Sequence, residues 1–368
     1  PEAPKKAADP NAVDPTPENV LATVGGKSID KAELAARFQL KMDRLPEEKR
    51  TRQQRQRWLQ RVTEEVVWQT AYQAAVDKAG LEVEYSGADK AIAEFRAEPE
   101  IFARYLEKNA ESESSIRAQH IYHANEQALL EARGLKDPTV EEAKAFYEEN
   151  KEKFRRDRPT MRASHLNVAE GPREGLSRVR IIDRVEREKA SPEDLKKWKA
   201  DALAYAEHLR TEVMKPGVDF NEFVLDHSEG PGRSRGGDMG VFDDRQMVPD
   251  YTEVAFKLEP GEISKVTETS KGIYIIKCFG RYEPGILPFE ALEPDLMRQL
   301  KGMAFQEAKR ALREELTRDF AIDWGMKDTG AKAPAPKKSP APKQAPSQPK
   351  APPAEPAKTA PAATGSAK

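Results

Sequence analysis

The chain has 368 residues, of which 38% are hydrophobic and 34% charged, a length for about two to three domains with modest cores and heavily charged surfaces. A net charge of −2 supplies no global attraction for nucleic acid or for an acidic membrane, and a single cysteine, Cys278, excludes an internal disulfide framework. No run is long and apolar enough to span a membrane. The chain begins at Pro1 rather than Met, as expected of a processed or trimmed N-terminus, so the lack of a signal peptide carries no information on compartment.

Residues 1–18 are rich in Pro and Ala, lack an apolar period and are expected to form a disordered linker. "VLATVGGKSI" reads as a strand, a turn at Gly25-Gly26 and a second short strand. "DKAELAARFQLKMDRL" opens a helix at Asp30 with Glu33 three residues on, and Leu34, Phe38, Met42 and Leu45 fall at helical spacing. The next stretch repeats the pattern with Trp58, Val62, Val66 and Val76 and stops at Gly80. Shorter helices are predicted from Ser86 and around 101–106, and a longer one from Ser114 to Arg133. "TVEEAKAFYEENKEKF" opens on a capping box of Thr139 and Glu142. Residues 19–159 are therefore expected as a mostly helical lobe with one small β element.

The period then changes. "TMRASHLNV" alternates as a strand, with Met161, Ala163, His165 and Asn167 on one face and Arg162, Ser164, Leu166 and Val168 on the other. A charged insert at about 170–200 carries Arg173, Arg178, Arg180, Arg184 and Arg187 among Asp183, Glu186 and Glu188, and reads as a solvated helix. A helix from about Asp201 to Lys215 and a second over "DFNEFVLDHS" lead to the glycine-rich stretch "HSEGPGRSRGGDMGVF". Beyond it lie a helical "QMVPDYTEVAFKL", the turn "EPGE", and the strands "SKVTET" and "GIYIIKCFGRY". The order β-α-α-α-β-β predicts a small α+β domain around a short antiparallel sheet. Residues 286–328 return to helix, with Leu296, Leu300, Phe305, Leu312, Leu316 and Phe320 as the apolar set. Residues 329–368 are a basic Pro/Ala/Lys-rich tail, expected to be disordered. It reads as a spacer, or, through its lysines, as a contact to an anionic envelope surface.

The glycine-rich stretch resembles a phosphate cradle only at first sight. Gly232 and Gly237 have the spacing of GxxxxGK[ST], but Asp238 stands where that loop needs a lysine. The dinucleotide pattern meets Arg235 where its third glycine belongs. No cofactor is expected. Cys278 lies in an apolar run and reads as a buried, inert thiol, while His120 and His123 lack a third ligand nearby and read as surface residues, so no metal is expected. His208 and His227 read as helix-surface and loop residues.

"RASHLNV", "FNEFVLDHSEGPGRSRGGDMGVF", "QMVPDYTEVAFKLEPGEIS" and "TSKGIYIIK", in that order across 160–283, resemble a parvulin-type peptidyl-prolyl isomerase domain, an FKBP-like α+β fold. "LATVGGKSIDKAEL" and "TVEEAKAFYEENKEKF" resemble the opening and closing segments of the N-terminal lobe of SurA/PrsA-like foldases. In that family the N-terminal helices, here 19–159, and a C-terminal helix, here 284–328, form a chaperone lobe around the isomerase domain. The resemblance implies an exported protein of the periplasm or cell envelope that acts on unfolded or nascent exported polypeptides containing X–Pro bonds.

It also implies site residues. Met239 and Phe242 stand where the family has a leucine and a phenylalanine of the proline pocket, Met247 keeps the family methionine, and Tyr251 replaces a usual phenylalanine. His165 is the first family histidine, and Thr269 keeps the hydroxyl before the last strand. Tyr274 replaces the second histidine, and Gly230 occupies the Cys/Asp position. The Tyr274 hydroxyl is expected to reach His165, and Glu229 to replace part of the missing acid. The Arg-rich insert lies where some parvulins carry a basic loop that reads phosphate or acidic residues before the proline. These departures predict weak or substrate-limited isomerisation. The alternative is a non-catalytic chaperone whose parvulin domain only binds peptide, and a third reading is a structural envelope linker.

Overall fold

The computed structural model describes residues 16–96, 99–109, 111–171 and 190–325. Residues 1–15, the Arg-rich part of the insert and the basic tail lie outside the described residues. Pro17–Asn19, within the stretch expected as a linker, form a 3₁₀ turn with Pro17 buried.

Side-chain caps decide where the first helices start. The Asp30 carboxylate accepts from the backbone N–H groups of Ala32 and Glu33 and opens α1 (Lys31–Asp43). Thr51 caps α2 (Arg52–Ala79), which ends at the left-handed Gly80. Next come α3 (Ser86–Arg96), α4 (Pro99–Asn109), α5 (Glu113–Ala132) and α6 (Val140–Glu149). The last two start from capping boxes at Ser112 and Thr139. Leu34 and Phe38 of α1, Val62, Val66 and Tyr72 of α2, and Leu129 of α5 share one buried core. A β-hairpin, β1 (Thr23–Val24) and β2 (Lys27–Ser28), closes one side of it through Val24.

After the short β3 (Arg155–Arg156) come β4 (Thr160–Val168), α7 (Pro192–Val213), α8 (Phe220–His227), β5 (Asp238–Phe242) and α9 (Pro249–Ala255). The chain continues through β6 (Thr267–Thr269), β7 (Gly272–Tyr282) and β8 (Gly285–Ile286) into α10 (Phe289–Asp319). Strands β5-β4-β7-β6, in that order, form an antiparallel sheet. Two expectations need correction. Helix α7 starts at Pro192 rather than Asp201, because Ser191 and Asp194 form a capping box within the charged stretch. The sheet also has a fourth strand: Asp238–Phe242, expected as loop, pairs with β4 with Phe242 opposite Met161.

The alternation of β4 and β7 sorts the domain into two layers. Leu166, Val168, Ile273 and Ile275 point to one face, under Ala202, Ala206 and Leu209 of α7 and Phe220 and Val224 of α8. Met161, Ala163, Ile276 and Cys278 point to the other, under Tyr251 and Ala255 of α9. Between the sheet and α10 lies an ion network. Arg162 on β4 donates to both carboxylate oxygens of Asp238 on β5 (2.9 and 2.7 Å), to Asp295 (3.0 Å) and to the Ala291 carbonyl (2.9 Å). Arg298 also donates to Asp238 Oδ2 at 2.8 Å. Further along α10, Leu312 and Leu316 enter the same core as α1, α2 and α5.

Candidate active site

The site lies on the α9 face of the sheet. His165 on β4 pairs with Ile276 of β7, and Asn167 with Tyr274. The His165 ring lies 4.8 Å from the Tyr274 ring and 5.8 Å from that of Tyr251, which α9 brings down from above. Tyr251 and Tyr274 meet edge to face at 5.6 Å. His165 Nδ1 lies 3.3 Å from the Tyr251 hydroxyl. This corrects the expected partner, because the Tyr274 hydroxyl donates to the Lys271 carbonyl at 3.3 Å instead. Tyr274 is two residues along β7 from the partner of His165, and its long side chain runs toward the β6–β7 turn.

The ring groups of the cluster are uncharged. Burial, with the positive charge of Arg235 adding to it, pushes the His165 imidazole from 6.5 down to about 4. It is neutral at physiological pH. Burial, and the neighbouring Tyr274, lift the Tyr251 hydroxyl above its ordinary range, and burial lifts Tyr274 as well. Both phenols are therefore protonated. A neutral imidazole and the Tyr251 hydroxyl can hydrogen-bond an amide without burying a charge against a proline ring.

The apolar wall is continuous with this cluster. Met239 and Phe242 come from β5, Met247 from the segment before α9, and all pack with Tyr251. Phe242 lies 6.2 Å from Tyr251 and 6.0 Å from Phe256, centroid to centroid. Met239 and Met247 stay half-buried, so two flexible, polarizable side chains remain open to a ligand. Phe256 has no place in the sequence-derived site, although its position five residues after Tyr251 in "YTEVAF" signals an aromatic at the end of the same short helix.

The structure thus brings together His165, Tyr274, Met239, Phe242, Met247 and Tyr251. It does not bring in Thr269 or Glu229, neither of which hydrogen-bonds His165. The Thr269 hydroxyl donates to the Gly272 carbonyl (3.1 Å) and accepts from the Lys271 N–H (3.0 Å), closing the β6–β7 turn. The Glu229 carboxylate accepts from the Ala169 N–H at 2.7 Å and ties the loop to the end of β4.

The glycine-rich segment runs directly over His165. The Gly237 carbonyl accepts from the His165 N–H at 3.0 Å. Gly237 has φ +73°, and a Cβ there would lie 2.1 Å from the His165 carbonyl oxygen. Only glycine lets the two backbones meet. Asp238, which argued against a phosphate loop, is spent on Arg162 and Arg298. Cys278 is buried, and burial pushes its thiol up, as expected of an inert thiol. His120 and His123 are both exposed. Among the described residues no three His, Cys, Asp or Glu side chains group as a metal site would require.

A four-stranded antiparallel sheet with two helices on one face, and a histidine and an aromatic-methionine wall on the other, defines a parvulin-type rotamase domain. The PPIC-type PPIASE domain of the rotamases matches residues 188–280, from the end of the insert to β7. The peptidyl-prolyl cis-trans isomerase Pin1 of Digitalis lanata is 36% identical over 80 residues, covering 22% of this chain and 68% of that protein. The foldase protein PrsA of Oceanobacillus iheyensis is 30% identical over 152 residues, covering 35% of this chain and 50% of that protein. The chain thus spans about half the length of this foldase. The crystal structure of PrsA from Bacillus subtilis aligns with a TM-score of 0.43 at 20% identity, covering 74% of this chain and 89% of that one. The chain belongs to the PpiC-type (parvulin) peptidyl-prolyl cis-trans isomerase family.

Proposed function

We propose that the protein is a peptidyl-prolyl cis-trans isomerase and folding chaperone that acts on unfolded polypeptides exposing X–Pro bonds. The observation that carries this reading is the neutral His165, in reach of the Tyr251 hydroxyl, set beside the half-open Met239–Phe242–Met247 wall. X–Pro rotation is slow because amide conjugation resists twisting by ~18–20 kcal/mol. No covalent step is needed. The wall takes the proline ring out of water, and the neutral donors meet an amide that has lost its conjugation, so the twisted state is bound more tightly than either planar one.

The core shared by α1, α2, α5 and α10 supplies the second half of the proposal, a helical lobe that holds extended chain while the isomerase domain works. The place of work is the periplasm or cell envelope, the expectation that the family resemblance carries. The basic tail is an anchor to anionic surface in this reading. A competing reading, a peptide-binding module without catalysis, draws on Tyr274, whose hydroxyl is committed to Lys271 rather than to His165. A protease-coupled assay on peptides that vary the residue before Pro separates the two. Isomerase function requires acceleration by the wild-type chain that His165→Ala combined with Met247→Ala removes. Suppressed aggregation without acceleration of any peptide would leave the binding module.

A further inference from the structure

The space left by the missing side chain at Gly230 is filled. A Cβ at that position would lie 2.7 Å from Asn167 Cβ and 2.9 Å from its Oδ1. Asn167 is two residues past His165 on β4 and so lies on the same face of the sheet, opposite Tyr274. A second glycine gives it room from the other side: a Cβ at Gly272 would lie 3.0 Å from Asn167 Nδ2 and 3.7 Å from the Tyr274 hydroxyl. The backbone there is fixed, because the Asn167 N–H donates to Ser228 Oγ at 3.0 Å and its carbonyl accepts from the Glu229 N–H at 2.8 Å. Nδ2 donates to the Ile273 carbonyl at 3.2 Å. The carboxamide has two donor hydrogens and an acceptor oxygen. Among the described residues, its second N–H and Oδ1 take no partner. A half-buried amide with unused hydrogen-bonding capacity therefore lies two residues from His165 on the same face of β4.

We propose that Asn167 is a catalytic residue of the isomerase site and supplies, from the strand, the polar group that the loop lacks at Gly230. The proposal rests on the isomerase reading above. Twisting an X–Pro amide localises the lone pair on the prolyl nitrogen, which becomes a hydrogen-bond acceptor only in the twisted state. The remaining Nδ2–H donates to that nitrogen, and the gain falls on the transition state rather than on the planar forms. No bond is made or broken. A carboxamide does not titrate in the working range, so this contribution has no pH limb of its own.

The test uses the full chain in a protease-coupled assay on X–Pro peptides, with circular dichroism and Tm for every variant. Asn167→Ala is expected to lower kcat/KM by about a hundredfold, chiefly in kcat. Gly230→Asp alone collides with Asn167 and loses activity. Asn167→Ala/Gly230→Asp regains a large part of the loss and acquires a carboxylate limb in its pH profile. Asn167→Asp fills the native space and covers the case in which Asn167→Ala does not fold. Its rate is expected to fall as the carboxyl ionises and the donor is lost. A folded Asn167→Ala within about twofold of wild type, or an Asn167→Asp with a flat pH profile, overturns the role of Asn167. If His165→Ala is impaired in the same assay, the isomerase reading survives that outcome. A wild-type chain that accelerates no peptide overturns both.

Discussion

Replacing Gly237 by Ala should cost far more than the same change at another left-handed glycine. Gly261 has φ +91° with nothing within 4 Å of a built Cβ, so Gly261→Ala measures the backbone penalty alone. That penalty is about 1–2 kcal/mol. At Gly237, φ is +73°, and the added Cβ would lie 2.1 Å from the His165 carbonyl oxygen and 3.0 Å from Val224 Cγ1. The nearest atom is strand backbone, so no side-chain rotation relieves the overlap. The loop and β4 must separate by about 1 Å, which breaks the His165 N–H to Gly237 bond, a loss of about 1 kcal/mol. It also opens packing against α8. The sum is about 3–4 kcal/mol for Gly237→Ala against about 1–2 for Gly261→Ala. Hydrogen–deuterium exchange of the β4 and β7 amides reads this locally, and isomerase activity should fall with it. Equal loss of protection in the two variants, within about 0.5 kcal/mol, would refute the claim that the loop is pressed against β4.

Three further outcomes follow from named contacts. His165 is held at about 4 against 6.5 for an ordinary histidine, so an unfolded chain takes up the proton first as pH falls. Its stabilising contribution is complete above about pH 6.5 and is lost toward pH 4, about 3 kcal/mol in all. Urea unfolding should show this slope in wild type and not in His165→Phe. Arg162→Met leaves the Asp238 carboxylate, whose side chain is only 9% exposed, with Arg298 as its one remaining cation among the described residues. Because Arg298 stays, the expected cost is about 2–4 kcal/mol in the melting of the sheet, at or just under the range for a broken buried pair. Leu316→Ala empties a fully buried position in the core of the helical lobe, worth about 2–5 kcal/mol. Limited proteolysis should then release the end of α10.

The helices of the lobe were legible because their signals are local. Asp30, Thr139 and Glu142 make the caps their spacing announces, and Leu34, Val62 and Val66 are buried at the predicted period. Strand β4 declared itself by alternation, β7 by its apolar run, and the methionine-aromatic wall by family order. Three things were hidden. Strand β5 sits at the sheet edge within a glycine-rich stretch, and its pairing with Met161 and Arg162 is decided by residues some 80 positions away. Helix α7 begins under a run of charges that drowns its capping box. The partner of His165 is Tyr251 rather than Tyr274, because α9 folds over the sheet and delivers its hydroxyl from outside the strand register. The sequence places Asn167 on the strand face of His165 and says no more. Its meaning depends on the absent side chain at Gly230, which no single-strand pattern encodes.

Rotation of X–Pro bonds on the α9 face of the sheet is the activity on which the proposed function stands. Two-dimensional exchange NMR on an X–Pro peptide, with catalytic amounts of the full chain and no protease, measures that rotation directly. With the wild-type chain, cis–trans exchange is expected to be faster than the uncatalysed tens to hundreds of seconds. His165→Ala combined with Met247→Ala is expected to remove the acceleration without unfolding the domain. Exchange at the uncatalysed rate with the wild-type chain, in the presence of measurable peptide binding, would contradict it.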